Sequence, residues 1–302
     1  MKEKKVINHR ILERNTILGI FILSELSYVL VSIVIGGALT AVVGMVMTII
    51  GIKMPLELAY FMIPIAAFIM LAIHKRWFYP EFESNVYTKD LGKWMLISIA
   101  LLLVTLIPDF AIMLGTKANL AAPTLLSVLT SLVAGTSEEV ISRAVPGSFA
   151  MRQIKDSKKV PMVLIITSLF FSLMHASNIF QGASVQATIM QLFTAFGSGL
   201  LFGALFLRSG SILPAMIHHF LLDVYALTNA EVVTETGVMA QALGTRDFIA
   251  NIIITIIQVG LAVYLMRKSK WDEVFELWNK KWNKQAKEPE STTASDTKAE
   301  AI

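Results

Sequence analysis

Apolar residues along this chain gather into long unbroken runs, with polar residues confined to short stretches between them. The runs fall near 24–50, 56–74, 93–115, 122–150, 159–178, 185–207, 211–228 and 248–266. Crossing the roughly 30 Å hydrocarbon layer of a bilayer takes about 20 helical residues, so each run reads as one crossing. The strict alternation of a membrane β-barrel is missing. The pattern predicts an all-α polytopic membrane protein of about eight transmembrane helices. The apolar run feeding the first span begins near Ile17 and is too long for one crossing, which places Glu25 at or below the interface.

Composition agrees with the pattern. The 302 residues are 55% hydrophobic and 16% charged, against about 45–50% and about 25% for soluble domains. Basic residues are distributed by topology. With an even number of spans both termini share a side, and if that side is the cytoplasm, 22 of the 26 Lys and Arg lie on cytoplasmic segments, as the positive-inside rule requires. Lys53, Lys117 and Arg246 fall outside, and Arg143 is left within the fourth span. The expected location is therefore the cell membrane, with cytoplasmic N- and C-termini. The net charge of +4 follows from this arrangement, and no basic stripe with interleaved aromatics suggests a nucleic-acid partner. The opening "MKEKKVINHRILERN" lacks the short apolar core and cleavage site of a signal peptide and is expected to stay on the mature protein. The absence of cysteine excludes disulfides, thiol nucleophiles and thiolate metal sites.

Near the C-terminus, Trp271, Val274, Phe275, Trp278 and Trp282 recur at helical spacing opposite charged residues, which predicts an amphipathic helix anchored on the membrane surface. After Lys284 the composition is too polar to bury a core, and disorder is expected. Four regions result: an N-terminal segment with three spans (1–119), a polar-bearing core in spans four to seven (120–230), an external loop with the last span (231–270), and the tail (271–302).

Ionisable residues inside the spans carry the chemistry, because a charge at the bilayer centre costs at least about 2.5–3.5 kcal/mol. The stretch "AGTSEEVISRAVPG" holds two glutamates and an arginine. Glu139 and Arg143 are four apart and can neutralise each other, whereas Glu138 points about 100° away and is left unpaired. Two other spans supply company: "TSLFFSLMHASN" with His175, and "SILPAMIHHFLLDVY" with His219 and Asp223 on one helical face. Counted at 1.5 Å per residue, Glu138, His175 and Asp223 lie at similar depths, about 20 Å from their cytoplasmic helix ends, with His219 one turn shallower. Convergence on one site is expected. His218 faces elsewhere and reads as incidental, and Phe171 reads as packing one turn before His175.

These residues resemble the CPBP intramembrane proteases, which include the type II CAAX prenyl endopeptidases and bacteriocin-immunity proteins. The family's two glutamates, three residues and arginine resemble Glu138, Glu139 and Arg143; its Phe-x-x-x-His resembles Phe171 to His175; its His-x-x-x-Asn/Asp resembles His219 to Asp223. The resemblance covers roughly residues 120–230. Many members carry Phe-Arg-Gly where this chain has Ser142, Arg143 and Ala144. The resemblance implies hydrolysis of a peptide bond in a membrane protein or peptide, with Glu138 and His175 activating a water. It further implies that His219 and Asp223 either stabilise an oxyanion or bind a metal. A zinc ion held by Glu138, His175 and His219 would suit a three-ligand catalytic site, so metal-dependent and metal-independent readings both stay open.

Other intramembrane protease chemistries leave different marks. H-E-x-x-H and Gly-x-Gly-Asp are absent, and "FGSGLLFG" has Phe196 where the serine type needs glycine, so Gly199 and Gly203 read as close helix packing. Two other classes also account for buried polar groups. One is a non-catalytic immunity or regulatory protein acting by binding. The other is a proton-coupled transporter, although the paired halves usual for transporters are missing.

Overall fold

The computed structural model describes residues 10–116, 121–228 and 245–283. Residues 229–244, which include the start of the expected external loop of the 231–270 region, and the tail beyond 283, with its expected disorder, lie outside the described residues. No strand occurs among the described residues. Among the described residues seven helices are long and apolar enough to cross a membrane: α1 Thr16–Ile49, α2 Leu56–Arg76, α3 Leu91–Gly115, α4 Leu125–Gln153, α5 Ser157–Gln181, α6 Val185–Ser209 and α8 Phe248–Leu265. Between the last two lies α7, described over Leu213–Thr228. It lies where the seventh crossing was expected, and it carries His219 and Asp223. The first span is longer than expected, a continuous rod of 34 residues on which Glu25 is exposed.

The bundle is turned outward in polarity. Large apolar residues such as Ile33, Ile49, Phe61, Leu96 and Ile256 are exposed, while Ser, Thr, His, Glu and Arg side chains are buried among the helices. That distribution suits a lipid surround, in which polar groups must be satisfied inside the protein.

The sequence of α4 is matched to its irregular path. Thr124 and Ser127 form a capping box at its start. Two π turns, Ala134–Glu138 and Val140–Ala144, flank Glu139, and Pro146 then removes a backbone donor. Hydroxyls repair the ladder: Thr136 donates to the Leu132 carbonyl (2.6 Å), Ser137 to Val133 (2.7 Å), Ser142 to Glu138 (2.5 Å) and Ser148 to Ala144 (2.6 Å). In lipid these bonds stand in for the water that would otherwise solvate the carbonyls.

The tail corrects the expected surface anchor. Helix α9, Trp271–Lys281, packs its apolar face on the end of the bundle rather than on a membrane. Trp278 is 0% exposed and donates through Nε1 to the Leu207 carbonyl at 3.0 Å, while Trp282 donates to the Ser148 carbonyl at 3.0 Å. Phe82, from the α2–α3 loop, stacks on Trp278 with ring centres 6.2 Å apart. Lys281 is also buried there, and burial holds its ammonium below the ordinary lysine range. Its stem crosses Gly210, where φ is +69° and a Cβ would lie 2.5 Å from the lysine Cε, so glycine satisfies both the left-handed turn and the close approach. At the same end Arg152 of α4 bonds Glu13 (2.6 Å) and Glu81 (3.1 Å).

Candidate active site

Four helices meet around the polar cluster. Helices α4 and α7 come together at Gly135, where a Cβ would lie 2.8–2.9 Å from the Phe220 backbone nitrogen and Cα. Gly199 of α6 makes similar room, since a Cβ there would press on Ser168, Arg143 and Phe171 at 3.2–3.3 Å. Gly203 faces Leu164 of α5 in the same way, so both α6 glycines serve close packing, as the sequence suggested.

The two glutamates have different surroundings. Glu139 is 0% exposed, and its Oε1 accepts from Arg143 Nη1 at 2.5 Å and from His219 Nδ1 at 2.9 Å. Arg143, 1% exposed, is further held by Ser142 Oγ at 2.9 Å. Its guanidinium carbon lies 4.2 Å from the ring centre of Phe171 and 5.4 Å from that of Phe202, which suits a desolvated cation. Glu138 is 30% exposed, and its Oε2 lies 3.9 Å from Nε2 of both His175 and His219. Asp223 Oδ2 is 3.4 Å from His219 Nε2. The six side chains predicted from sequence thus lie in one connected cluster.

Hydrogen bonds orient both imidazoles. His175 Nδ1 faces the Phe171 carbonyl at 2.9 Å, an acceptor, so Nδ1 carries the hydrogen and Nε2 faces Glu138. The same reasoning assigns a hydrogen to His219 Nδ1, which faces the Glu139 carboxylate. Phe171 also packs edge-on against both rings, with centres 5.0 Å from His175 and 5.8 Å from His219.

Two residues carry more than the sequence suggested. Phe202 stacks on His219 with ring centres 4.8 Å apart, and its segment had a signal only as a glycine pattern. His218 faces away from the cluster, as expected, and has a packing role: it is buried, and its Nδ1 lies 3.1 Å from the Ser98 carbonyl, tying α7 to α3. A histidine inside an apolar span needs a partner, and that requirement could have flagged it.

The zinc reading fits this geometry poorly. Nitrogen and oxygen ligands about 2.1 Å from a tetrahedral zinc stand about 3.4 Å from one another, whereas Glu138 Oε2 is 3.9 Å from each histidine Nε2. Among the described residues no group of three His, Asp or Glu is arranged to hold a metal ion.

Residues 120–225, about a third of the chain, match the family model described as type II CAAX prenyl endopeptidase Rce1-like. No curated protein and no solved structure matches. The matched stretch begins just before α4 and ends within α7, so it includes all six clustered side chains. From α4 into α7 the chain is therefore similar to the type II CAAX prenyl endopeptidase Rce1-like family.

Proposed function

We propose that this protein is an intramembrane endopeptidase that hydrolyses a peptide bond of a membrane-associated protein or peptide, using a water held by Glu138 and His175. The observation that carries the reading is the placement of Glu138 Oε2 at 3.9 Å from two imidazole nitrogens whose rings are fixed from behind. That separation is too long for a direct hydrogen bond and invites a water between the groups.

The chemistry follows from the donors and acceptors. A water beside Glu138 and His175 gives one hydrogen to the carboxylate and the other to His175 Nε2, which turns an oxygen lone pair toward an incoming carbonyl carbon. As the C–O bond forms, Glu138 takes the first proton and the carbonyl π pair moves onto its oxygen. A proton held between His219 Nε2 and Asp223, 3.4 Å apart, supplies the hydrogen bond that stabilises the oxyanion. Collapse breaks the C–N bond, Glu138 returns its proton to the departing amine, and the second water hydrogen stays on the new carboxyl group. Glu139 and Arg143 touch no reacting atom. They hold His219 in place as a compensated buried pair.

Lys and Arg gather at the end of the bundle where α9 docks, which supports a cytoplasmic assignment for that end and for both termini. The test uses purified full-length protein in detergent, offered a membrane-protein peptide library. Wild type is expected to cleave, and Glu138→Ala and His175→Ala are expected not to. Cleavage that persists in both variants removes the assignment, and a cellular phenotype that survives Glu138→Ala favours a binding role. Chelator treatment with metal analysis accompanies the assay: cleavage is expected to survive it, and loss restored by zinc would return the metal to the site.

A further inference from the structure

Below Arg143 the backbone of α4 is interrupted by the second π turn and Pro146. The carbonyl of Ala144, which takes the Ser148 hydroxyl within the helix, accepts a second hydrogen bond from outside it, from Asn85 Nδ2 at 2.8 Å. Asn85 belongs to the α2–α3 loop, and it is buried. Its own carbonyl accepts from the backbone N–H of Ile212 at 2.7 Å, one residue before α7 begins. One residue thus bonds α4 at the Arg143 turn and the root of the helix that carries His219. The circuit closes through the site, because Arg143 holds Glu139 and Glu139 holds His219.

The loop cannot drift freely, because neighbouring elements hold it on both sides of Asn85. Ser211 Oγ donates to the Val86 carbonyl at 2.5 Å. Lys281 Nζ donates to the carbonyls of Ser84 (3.0 Å) and Tyr87 (2.8 Å), and the Glu83 N–H bonds the Lys281 carbonyl at 2.8 Å. We infer that Asn85 is a positioning residue for the proposed peptidase site, setting the spacing of α4 and α7 on which the Glu138–His219 geometry depends. Lys281 of the docked tail helix holds Asn85 in register. The inference rests on the proposed peptidase reading for its kinetic consequence, but not for its structural one.

Two measurements on the full-length protein in detergent test it with Asn85→Ala, Asn85→Asp and Lys281→Met. The first is kcat and KM on the peptide that wild type cleaves. The second is amide hydrogen exchange over residues 138–145 and 212–219, with residues 185–209 as an internal reference. Asn85→Ala is expected to lower kcat about tenfold while KM stays within about twofold, since small misplacements of reacting groups cost rate before binding. Asn85→Asp is expected to do the same despite its matching shape, because a carboxylate cannot donate to the Ala144 carbonyl. Lys281→Met is expected to give a smaller loss with the same split. Exchange should quicken in both site segments and not in the reference. Wild-type kcat and exchange in Asn85→Asp, or a change confined to KM, would overturn the inference. If wild type cleaves no peptide, the peptidase reading fails, and the exchange comparison alone still decides for or against Asn85.

Discussion

Glu138 and the neighbouring Glu139–Arg143 pair in α4 are expected to respond differently to mutation, because Glu138 is accessible and the pair is buried. Glu138 is 30% exposed and lies 3.9 Å from both histidines, beyond direct hydrogen-bond range. Glu138→Gln therefore leaves the packing intact and removes the proposed base. It is expected to lower cleavage by about 10²–10⁴-fold with no loss of thermal stability, measured on the same preparation. Arg143 and Glu139 form a desolvated pair at 2.5 Å. Removing one partner of such a pair leaves a buried charge without compensation, which costs about 3–5 kcal/mol. Arg143→Ala is expected to show that loss in unfolding experiments, and to lose cleavage as well, because Glu139 then has only His219 to bond. Equal destabilisation by Glu138→Gln and Arg143→Ala would contradict this division of roles.

The helices bring these residues together through contacts that only small side chains permit. At Gly135 the backbones of α4 and α7 nearly touch, and a Cβ would sit 2.8–2.9 Å from Phe220. Backbone atoms cannot rotate away, so the helices must separate. Gly135→Ala is expected to destabilise the protein by about 1–3 kcal/mol and to weaken cleavage by widening the Glu138–His219 gap. Gly37→Ala serves as the control, since nothing lies within 4 Å of a Cβ there. A Gly135→Ala protein as stable and active as Gly37→Ala would show that α4 and α7 are spaced by something else. At this scale the sequence was informative wherever cost made residues conspicuous. Glu138, Glu139, Arg143, His175, His219 and Asp223 stand out because charged and imidazole groups are expensive in apolar runs. The π turns around Glu139 were not legible, since counting at 3.6 residues per turn assumes a regular ladder. Nor was the role of Asn85, which depends on a contact with Ala144 59 residues away along the chain.

For the molecule as a whole, the tail shows where periodicity stops informing. The spacing of Val274, Trp278 and their neighbours establishes an apolar helical face, but a bilayer surface and a protein surface demand the same period. The structure buries that face on α4, α6 and the α2–α3 loop, with Trp278 and Trp282 donating to the Leu207 and Ser148 carbonyls. An additional tie runs from Glu273 to Arg208 at 3.0 Å. A docked helix and a lipid anchor make different predictions. In a protein that retains only Trp278 and Trp282 of its five tryptophans, fluorescence should resist quenching by brominated lipids, because both indoles are shielded by protein. An anchor would place them among the acyl chains and quench strongly. Trp278→Ala should separately cost about 3–5 kcal/mol, the usual range for removing a buried tryptophan, and it should loosen Lys281 one turn away. Since Lys281 holds the loop of Asn85, that variant is also expected to lose cleavage although it lies at the far end of the bundle from Asp223. Quenching as strong as that of a free tryptophan, with unchanged stability in Trp278→Ala, would return the tail to the membrane surface and detach it from the site.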